Sequence, residues 1–221
     1  MWVKICGTTN LEDALTAVDA GADALGFVFA ESPRRVGPAL AGEITRAVPE
    51  HIEKVGVFVN ETAERIREIV EEAGLTGVQL HGDESLDFAA KLGANLVPNR
   101  TLCVIPVLPM RRIQEMAARG GVFVKLSRGI DTVLIDSAAQ GKSGGSGQAW
   151  NWEAGNLLLE TFRDSVRIIV AGGLTPANVA DAIRTLRPWG VDVASGVEHE
   201  PGKKDHEKVR AFVRAAKGLD L

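Results

Sequence analysis

Cysteine, excess positive charge and long apolar runs are all scarce in this sequence of 221 residues. The two cysteines, Cys6 and Cys103, show neither metal-ligand nor redox spacing, and we expect Cys6 to be a free thiol in a reducing compartment. A formal net charge of −4 offers no basic patch for nucleic acid. No stretch approaches the roughly 20 apolar residues of a membrane helix, and the first apolar run is too short for a signal peptide. These absences predict a cytoplasmic protein with neither a membrane nor a nucleic acid as partner.

Strand-like and helix-like segments alternate along the chain. Between eight short runs of β-forming residues, apolar residues recur with helical spacing, as they do over residues 66–73. Asn10 and the pair Thr175-Pro176 are predicted helix starts. Eight strands each followed by a helix must be parallel, which predicts a single (β/α)8 barrel over residues 1–221. The predicted strands are Trp2–Cys6, Ala24–Phe29, Lys54–Val59, Gly77–His81, Leu102–Val107, Thr132–Asp136, Arg167–Ala171 and Val191–Ala194.

An open, doubly wound sheet is the alternative α/β architecture. It is usually announced by a phosphate-binding loop after the first strand, whereas residues 6–9 read Cys-Gly-Thr-Thr. We therefore favour the barrel. The region from 93 to 129 is irregular because prolines interrupt it, and our best assignment there is a helix over Arg111–Arg119.

Three reactive side chains end predicted strands, where (β/α)8 barrels form their active sites. These are Cys6, His81 and Asp136. Side chains alternate along a strand, so Val3 and Ile5 facing the helices leave Cys6 pointing toward the barrel axis, and the same parity directs Asp136 inward. A lone cysteine is often a small apolar core residue, an aspartate after a strand is often a turn residue, and a histidine in a Leu-His-Gly turn suits either role. Position alone leaves both interpretations open.

Glycine-containing turns follow the predicted seventh and eighth strands. Gly172 and Gly173 follow the seventh strand, and Ser195 and Gly196 follow the eighth. The loops after these strands form the usual phosphate site of the barrel, because backbone N–H groups and a short helix can approach the anion there. The two turns together predict phosphate binding by backbone N–H groups, with a short helix beginning near Ser195. The alternative is that the glycines merely permit tight turns.

Two further features are ambiguous from the residues alone. The glycine-rich stretch 141–147 contains Gly-Lys-Ser but lacks the first glycine of a P-loop, so we expect a loop beside Asp136 that closes over substrate. Arg34 and Arg35 follow the second strand and suit either a solvated surface or a bidentate grip on a carboxylate.

Motifs from the first strand to the last helix resemble the phosphoribosylanthranilate isomerase family, a barrel enzyme family of tryptophan biosynthesis. The stretches that carry the resemblance are 4–10 (Lys-Ile-Cys-Gly-Thr-Thr-Asn), 26–29 (Gly-Phe-Val-Phe), 32–34 (Ser-Pro-Arg), 55–59 (Val-Gly-Val-Phe-Val), 78–82 (Val-Gln-Leu-His-Gly), 144–147 (Gly-Gly-Ser-Gly), 195–198 (Ser-Gly-Val-Glu) and 201–205 (Pro-Gly-Lys-Lys-Asp). The resemblance departs in the fifth strand, where relatives usually carry a lysine and this chain reads Val-Ile-Pro-Val.

The resemblance implies a cofactor-independent Amadori rearrangement of a phosphorylated ribosylanthranilate, with a monomer or homodimer as the working state. Cys6 matches the general base and Asp136 the general acid. Arg34 matches the arginine that holds the anthranilate carboxylate, and we place His81 among the substrate-binding residues. The turns at Gly172, Gly173, Ser195 and Gly196 match the phosphate site. No metal is implied.

Competing functions are less consistent with these residues. The related sugar isomerase of histidine biosynthesis uses two aspartates, whereas the first strand here ends in Cys6. A barrel aldolase needs a Schiff-base lysine at a strand end. A catalytically idle barrel would have no need for Cys6, Arg34 and Asp136 together.

Strand parity also makes a purely structural prediction. Lys4 on the first strand and Asp192 on the eighth both point inward, and these strands become neighbours when the barrel closes. A buried lysine rarely lacks a partner, so we expect Lys4 and Asp192 to pair.

Overall fold

Eight parallel strands form a closed barrel in which each strand pairs with the next and the eighth pairs with the first. The structure is a computed structural model that describes residues 1–95, 102–109, 129–136, 159–160 and 165–218. The strands are β1 (Trp2–Cys6), β2 (Ala24–Val28), β3 (Glu53–Phe58), β4 (Gly77–Leu80), β5 (Cys103–Pro109), β6 (Thr132–Asp136), β7 (Arg167–Ala171) and β8 (Gly190–Val193). The predicted (β/α)8 barrel is confirmed; three strands have the predicted limits, and the limits of the other five are shifted by one or two residues.

Helices alternate with the strands wherever the structure describes the connection at length. They are α1 (Leu11–Asp19), α2 (Pro38–Ala47), α3 (Ala63–Ala73), α4 (Leu86–Asn95), α5 (Val179–Leu186) and α6 (His206–Lys217). A short hairpin, β9 (Glu198–Glu200) and β10 (Lys203–Lys204), precedes α6. The predicted helix at 111–119 and the glycine-rich stretch 141–147 lie outside the described residues.

The helix starts confirm one sequence signal and correct the other. The side chain of Asn10 caps α1 as predicted, accepting a hydrogen bond of 2.9 Å from the backbone N–H of Asp13. The start predicted at Thr175-Pro176 was wrong, because α5 begins at Val179. The side chain of Asn178 instead accepts from the Thr175 N–H at 2.8 Å, which holds these residues in a turn before the helix.

Two apolar clusters lie on opposite faces of the sheet, as strand alternation requires. The larger cluster lies between the sheet and the helices and includes Val3, Ile5, Val133 and Ile135. The smaller one fills the barrel interior and includes Leu134. The inward and outward parity predicted for β1 and β6 is confirmed, and it directs Cys6 and Asp136 to the mouth.

The predicted ion pair inside the barrel is also present. Lys4 and Asp192 stand opposite each other in the pairing of β1 with β8, and the Lys4 Nζ lies 2.8 Å from Asp192 Oδ1. Lys4 also donates to Gln79 Oε1 of β4 at 2.9 Å. Burial alone would lower the pKa of Lys4, but the neighbouring Asp192 and Cys6 raise it above its ordinary value. Lys4 therefore holds a full positive charge at the centre of the barrel.

Candidate active site

A cavity of about 690 Å³ opens at the C-terminal ends of the strands. Its walls include all eight residues that the sequence analysis assigned to catalysis or substrate binding: Cys6, Arg34, His81, Asp136, Gly172, Gly173, Ser195 and Gly196. Closure of the barrel brings them together although they span more than 180 positions of the chain. One volume therefore contains the proposed acid, the proposed base and both proposed anion sites.

Cys6 is a buried thiol beside a buried cation. Burial raises the pKa of the Cys6 thiol, and the positive charge of Lys4 opposes that rise without cancelling it. A Cβ atom built on Gly26 of β2 would lie 2.8 Å from Cys6 Sγ and 3.0 Å from Lys4 Cε. A glycine at this position of β2 therefore leaves the room that the thiol and the lysine occupy.

Asp136 and His81 face each other at the mouth of the cavity. The buried carboxyl group of Asp136 ends β6, and its Oδ2 lies 3.5 Å from His81 Nε2. The other ring nitrogen, Nδ1, lies 3.2 Å from Nε2 of the Gln79 side chain. His81 therefore contacts Asp136 directly.

Arg34 already forms a bidentate pair with a protein carboxylate, which the sequence analysis did not anticipate. Its Nε and Nη2 donate to the two oxygens of Glu198 at 2.9 and 2.7 Å. This pair occupies the side edge of the guanidinium plane. No described residue accepts a hydrogen bond from the end edge, formed by Nη1 and the second N–H of Nη2. Arg34 thus lines the cavity with an edge that suits a second carboxylate.

Lys204 anchors this pair to the strand ends. Its buried ammonium lies 2.9 Å from Glu198 Oε1 and donates to the backbone carbonyls of Cys6 and Ala194. Burial would raise the pKa of Glu198, but hydrogen bonds and charge from Arg34 and Lys204 outweigh it and hold the pKa below its ordinary value. Burial also lowers the pKa of Lys204, with Glu198 opposing that effect. The triad of Arg34, Glu198 and Lys204 ties β1, β8 and the loop after β2 together.

The two glycine turns differ in why they need glycine. Gly172 and Gly173 both have positive φ, 88° and 65°, a backbone conformation that favours glycine. At Gly196 a Cβ atom would fall 1.8 Å from the carbonyl oxygen of Leu174, so close packing of the two turns excludes any side chain. The predicted short helix is present as a single 3-10 turn over Ser195–Val197. Packing accounts for Gly196, while a phosphate role for these turns is an inference taken up below.

Sequence reasoning missed three polar residues of this region: Gln79, Glu198 and Lys204. All three stand in stretches quoted for the family resemblance, yet none ends a strand with the inward parity used to select candidates. Glu198 and Lys204 reach the site from the β9–β10 hairpin, and the strand pattern does not predict where that hairpin lies.

Comparisons with known proteins agree on one family. The sequence model of the family described as N-(5'phosphoribosyl)anthranilate (PRA) isomerase matches residues 3–215. N-(5'-phosphoribosyl)anthranilate isomerase of Thermotoga neapolitana is 45% identical over 219 residues, which cover 98% of each chain. The crystal structure of the Thermotoga maritima enzyme superposes with a TM-score of 0.82 at 37% identity, covering 99% of this chain and 100% of that one.

A second solved structure carries a ligand. It is a phosphoribosyl anthranilate isomerase in complex with reduced 1-(o-carboxyphenylamino)-1-deoxyribulose 5-phosphate. It superposes with a TM-score of 0.78 at 37% identity and covers 99% of this chain and 100% of that one. Within the residues described for the present chain, no helix is long and apolar enough to cross a membrane.

The closed barrel, with ionisable groups gathered at the C-terminal ends of its strands, defines a (β/α)8-barrel enzyme. Its relatives are isomerases. The chain belongs to the N-(5'-phosphoribosyl)anthranilate isomerase family.

Proposed function

We propose that this protein converts N-(5'-phosphoribosyl)anthranilate to 1-(2-carboxyphenylamino)-1-deoxyribulose 5-phosphate, a step of tryptophan biosynthesis. The observation that carries the proposal is the single cavity, which holds a carboxyl group, a thiol, an arginine edge and glycine turns. The ligand of the related complex has a carboxylate at one end and a phosphate at the other, which matches the two anion sites.

Asp136 acts as the general acid. It protonates the ribose ring oxygen as the bond from that oxygen to C1' breaks, which leaves an iminium between C1' and the anthranilate nitrogen. Its position supports this role, because Asp136 ends β6 and its buried carboxyl group lines the cavity. Proton transfer by a positioned group of this kind contributes roughly 10²–10⁴-fold to the rate.

Cys6 acts as the general base. Its thiolate removes the proton from C2', and the electron pair of that C–H bond forms the enolamine, which tautomerises to the aminoketone product. The proton gained by Cys6 balances the proton lost by Asp136, so the rearrangement needs no oxidant, reductant or cofactor. The Lys4 ammonium beside Cys6 stabilises the thiolate while the reaction proceeds.

Arg34 and the two glycine turns bind opposite ends of the substrate. The end edge of the Arg34 guanidinium receives the anthranilate carboxylate, because its side edge is held by Glu198. The backbone N–H groups of Gly172, Gly173, Ser195 and Gly196 receive the phosphate, helped by the N-terminus of the turn at Ser195. A product complex with its phosphate elsewhere, for example beside Lys142, would contradict this assignment.

The direct test is turnover of N-(5'-phosphoribosyl)anthranilate generated in situ, followed by the loss of its anthranilate-type fluorescence. The proposal predicts a first-order decay that depends on protein concentration. The same preparation assayed with the sugar-phosphate substrate of the related histidine-pathway isomerase should show no comparable turnover. Decay of the first substrate at the spontaneous rate would contradict the proposal.

We expect the enzyme to act in the cytoplasm, as a monomer or a homodimer. The free Cys6 thiol on which the mechanism depends suits a reducing compartment. Sedimentation at several concentrations, together with cell fractionation, would test both expectations.

A further inference from the structure

A line of polar contacts crosses the barrel mouth from the buried cation to the proposed acid. Lys4 Nζ donates to Gln79 Oε1 at 2.9 Å, Gln79 Nε2 lies 3.2 Å from His81 Nδ1, and His81 Nε2 lies 3.5 Å from Asp136 Oδ2. Gln79 is only 1% exposed, so it makes these contacts with almost no competition from water. The line links β1, β4 and β6 at the site described above.

The chemistry of the donors fixes the direction of each contact. An ammonium group only donates, so the oxygen of the Gln79 amide must face Lys4 and its NH₂ group must face His81. Turning the amide over would direct its NH₂ group at the ammonium and leave two donors opposed in a buried place. The Gln79 amide therefore donates to His81 Nδ1, which must carry a lone pair.

A histidine whose Nδ1 accepts a hydrogen bond carries its single proton on Nε2. We propose that Gln79 is a positioning residue, which holds His81 as the neutral Nε2–H tautomer with that N–H directed at Asp136. The catalytic consequence of this arrangement rests on the proposed function. The tautomer itself follows from the contacts alone.

The catalytic consequence concerns the charge beside the acid. Among the described residues, Asp136 is the only carboxylate within 4 Å of the His81 ring. A histidinium at that distance would stabilise the Asp136 carboxylate by its full charge and so oppose retention of the acidic proton. A neutral Nε2–H group contacts Oδ2 without adding a charge beside the acid. Gln79 thus occupies the lone pair of His81 Nδ1 and keeps the Nε2–H group directed at Asp136.

The resting enzyme provides the first test, independent of turnover. In protein labelled with ¹⁵N-histidine, we expect His81 at neutral pH to show a protonated Nε2 and an unprotonated Nδ1. His51 and His199 lie at the surface and serve as internal references in the same spectrum. A protonated Nδ1 on His81 in the wild-type protein would overturn the proposal.

Substitution of Gln79 provides the second test. In Gln79→Glu both side-chain oxygens accept, so Nδ1 of His81 must become a donor, and its ¹⁵N signal should become that of a protonated nitrogen. Gln79→Met, which keeps the volume but has no amide, should leave His81 in a mixture of tautomers. The matched control Glu200→Gln makes the reverse exchange beside His199, with Glu200 Oε1 3.9 Å from its Nε2, and should leave the His81 signals unchanged. Wild-type His81 signals in both Gln79 variants would overturn the proposal.

Steady-state kinetics then test the catalytic consequence of the His81 tautomer. We expect Gln79→Glu to lower kcat roughly tenfold or more and to change KM less than kcat, since the substitution alters the charge beside the acid. Unchanged kcat in a variant whose His81 signals have switched would contradict the catalytic consequence while the tautomer assignment stands. If the wild-type enzyme shows no isomerase turnover at all, the proposed function fails, and the NMR result remains the measure of this inference.

Discussion

Two buried ion-pair systems lie within the same barrel, and they differ in what they leave unsatisfied. The interior pair, Lys4 with Asp192, has its ammonium fully enclosed and shared with Gln79. The rim triad of Arg34, Glu198 and Lys204 holds its arginine by one edge and leaves the other at the cavity. The ammonium of the interior pair is enclosed by protein groups, whereas the rim triad leaves one edge of Arg34 available to a ligand.

The two systems therefore have different roles. The charge of Lys4 sets the environment of the proposed base, whereas the charge of Arg34 is available to bind a ligand. Lys4 acts on Cys6 by its charge and by a side-chain hydrogen bond, and its ammonium is enclosed within the barrel. Arg34 owes its orientation to Glu198, which is 164 residues away in the sequence and is itself fixed by Lys204. Removing the interior charge should therefore reduce stability first, and removing a rim charge should reduce substrate binding first.

The largest effect is expected from Lys4→Met. The substitution leaves the Asp192 carboxylate buried without its partner, and breaking a buried pair in this way costs about 3–5 kcal/mol of unfolding free energy. Urea denaturation measures the loss. The double variant Lys4→Met with Asp192→Asn should recover part of it, because no unpaired charge then remains. A single variant as stable as the wild type would contradict the structural role of the pair.

Arg34→Ala should weaken substrate binding while the fold survives. A hydrogen-bonded contact to a charged group contributes about 1.5–3 kcal/mol, so KM should rise roughly ten- to a hundredfold. Because the contact exists in both ground and transition states, kcat should change little. Arg35→Ala is the matched comparison, since Arg35 also lines the cavity but is not the arginine that Glu198 holds. A large fall in kcat at constant KM would contradict the carboxylate-binding role.

Glu198→Gln should also weaken substrate binding, because Glu198 orients Arg34. The amide cannot accept both N–H groups of the Arg34 fork, so the arginine is held less firmly, and we expect a loss of affinity smaller than that of Arg34→Ala, roughly fivefold. Calorimetry should show weaker binding of the reduced product analogue, with less loss for a ligand that lacks the carboxylate. Glu200→Gln on the same hairpin is the control. Equal losses for both ligands would mean that Glu198 has only a structural role.

The dependence of kcat/KM on pH should be the most gradual of these effects. Burial raises the pKa of the Cys6 thiol, and the active form is the thiolate, so the rate must increase as pH rises. We expect kcat/KM to climb by at most about tenfold per pH unit from pH 6 toward and beyond the ordinary thiol value of about 8.5, until loss of the acid's proton reverses the trend. A rate that falls steadily from pH 6 to pH 9 would contradict the assignment of Cys6 as base.

The strand pattern predicted the side-chain directions that alternation controls on β1, β6 and β8. Val3 and Ile5 fixed the parity of β1 and so the inward direction of Cys6, and the parity of β8 with closure of the barrel added the Lys4–Asp192 pair. Such inferences succeed because a strand has only two faces and a closed barrel has a fixed order of neighbours.

Contacts that depend on loops were not predictable in the same way. Glu198 reaches Arg34 only because the β9–β10 hairpin folds over the mouth, and no local rule sets that placement. The start of α5 was misplaced because Asn178, rather than Thr175, controls the turn before it. Gln79 lies inside a strand, and its importance emerges only when Lys4 and His81 are seen on either side of it.

The central claim is that Cys6 and Asp136 transfer the protons of one isomerisation in this cavity. Its most direct test compares Cys6→Ala and Asp136→Asn with the wild type in two measurements on the same preparations: turnover of N-(5'-phosphoribosyl)anthranilate and affinity for the reduced product analogue. We predict that each variant loses at least about 10²-fold in kcat and binds the analogue within a few-fold of the wild type. Near-normal turnover in either variant would contradict the assignment of acid and base.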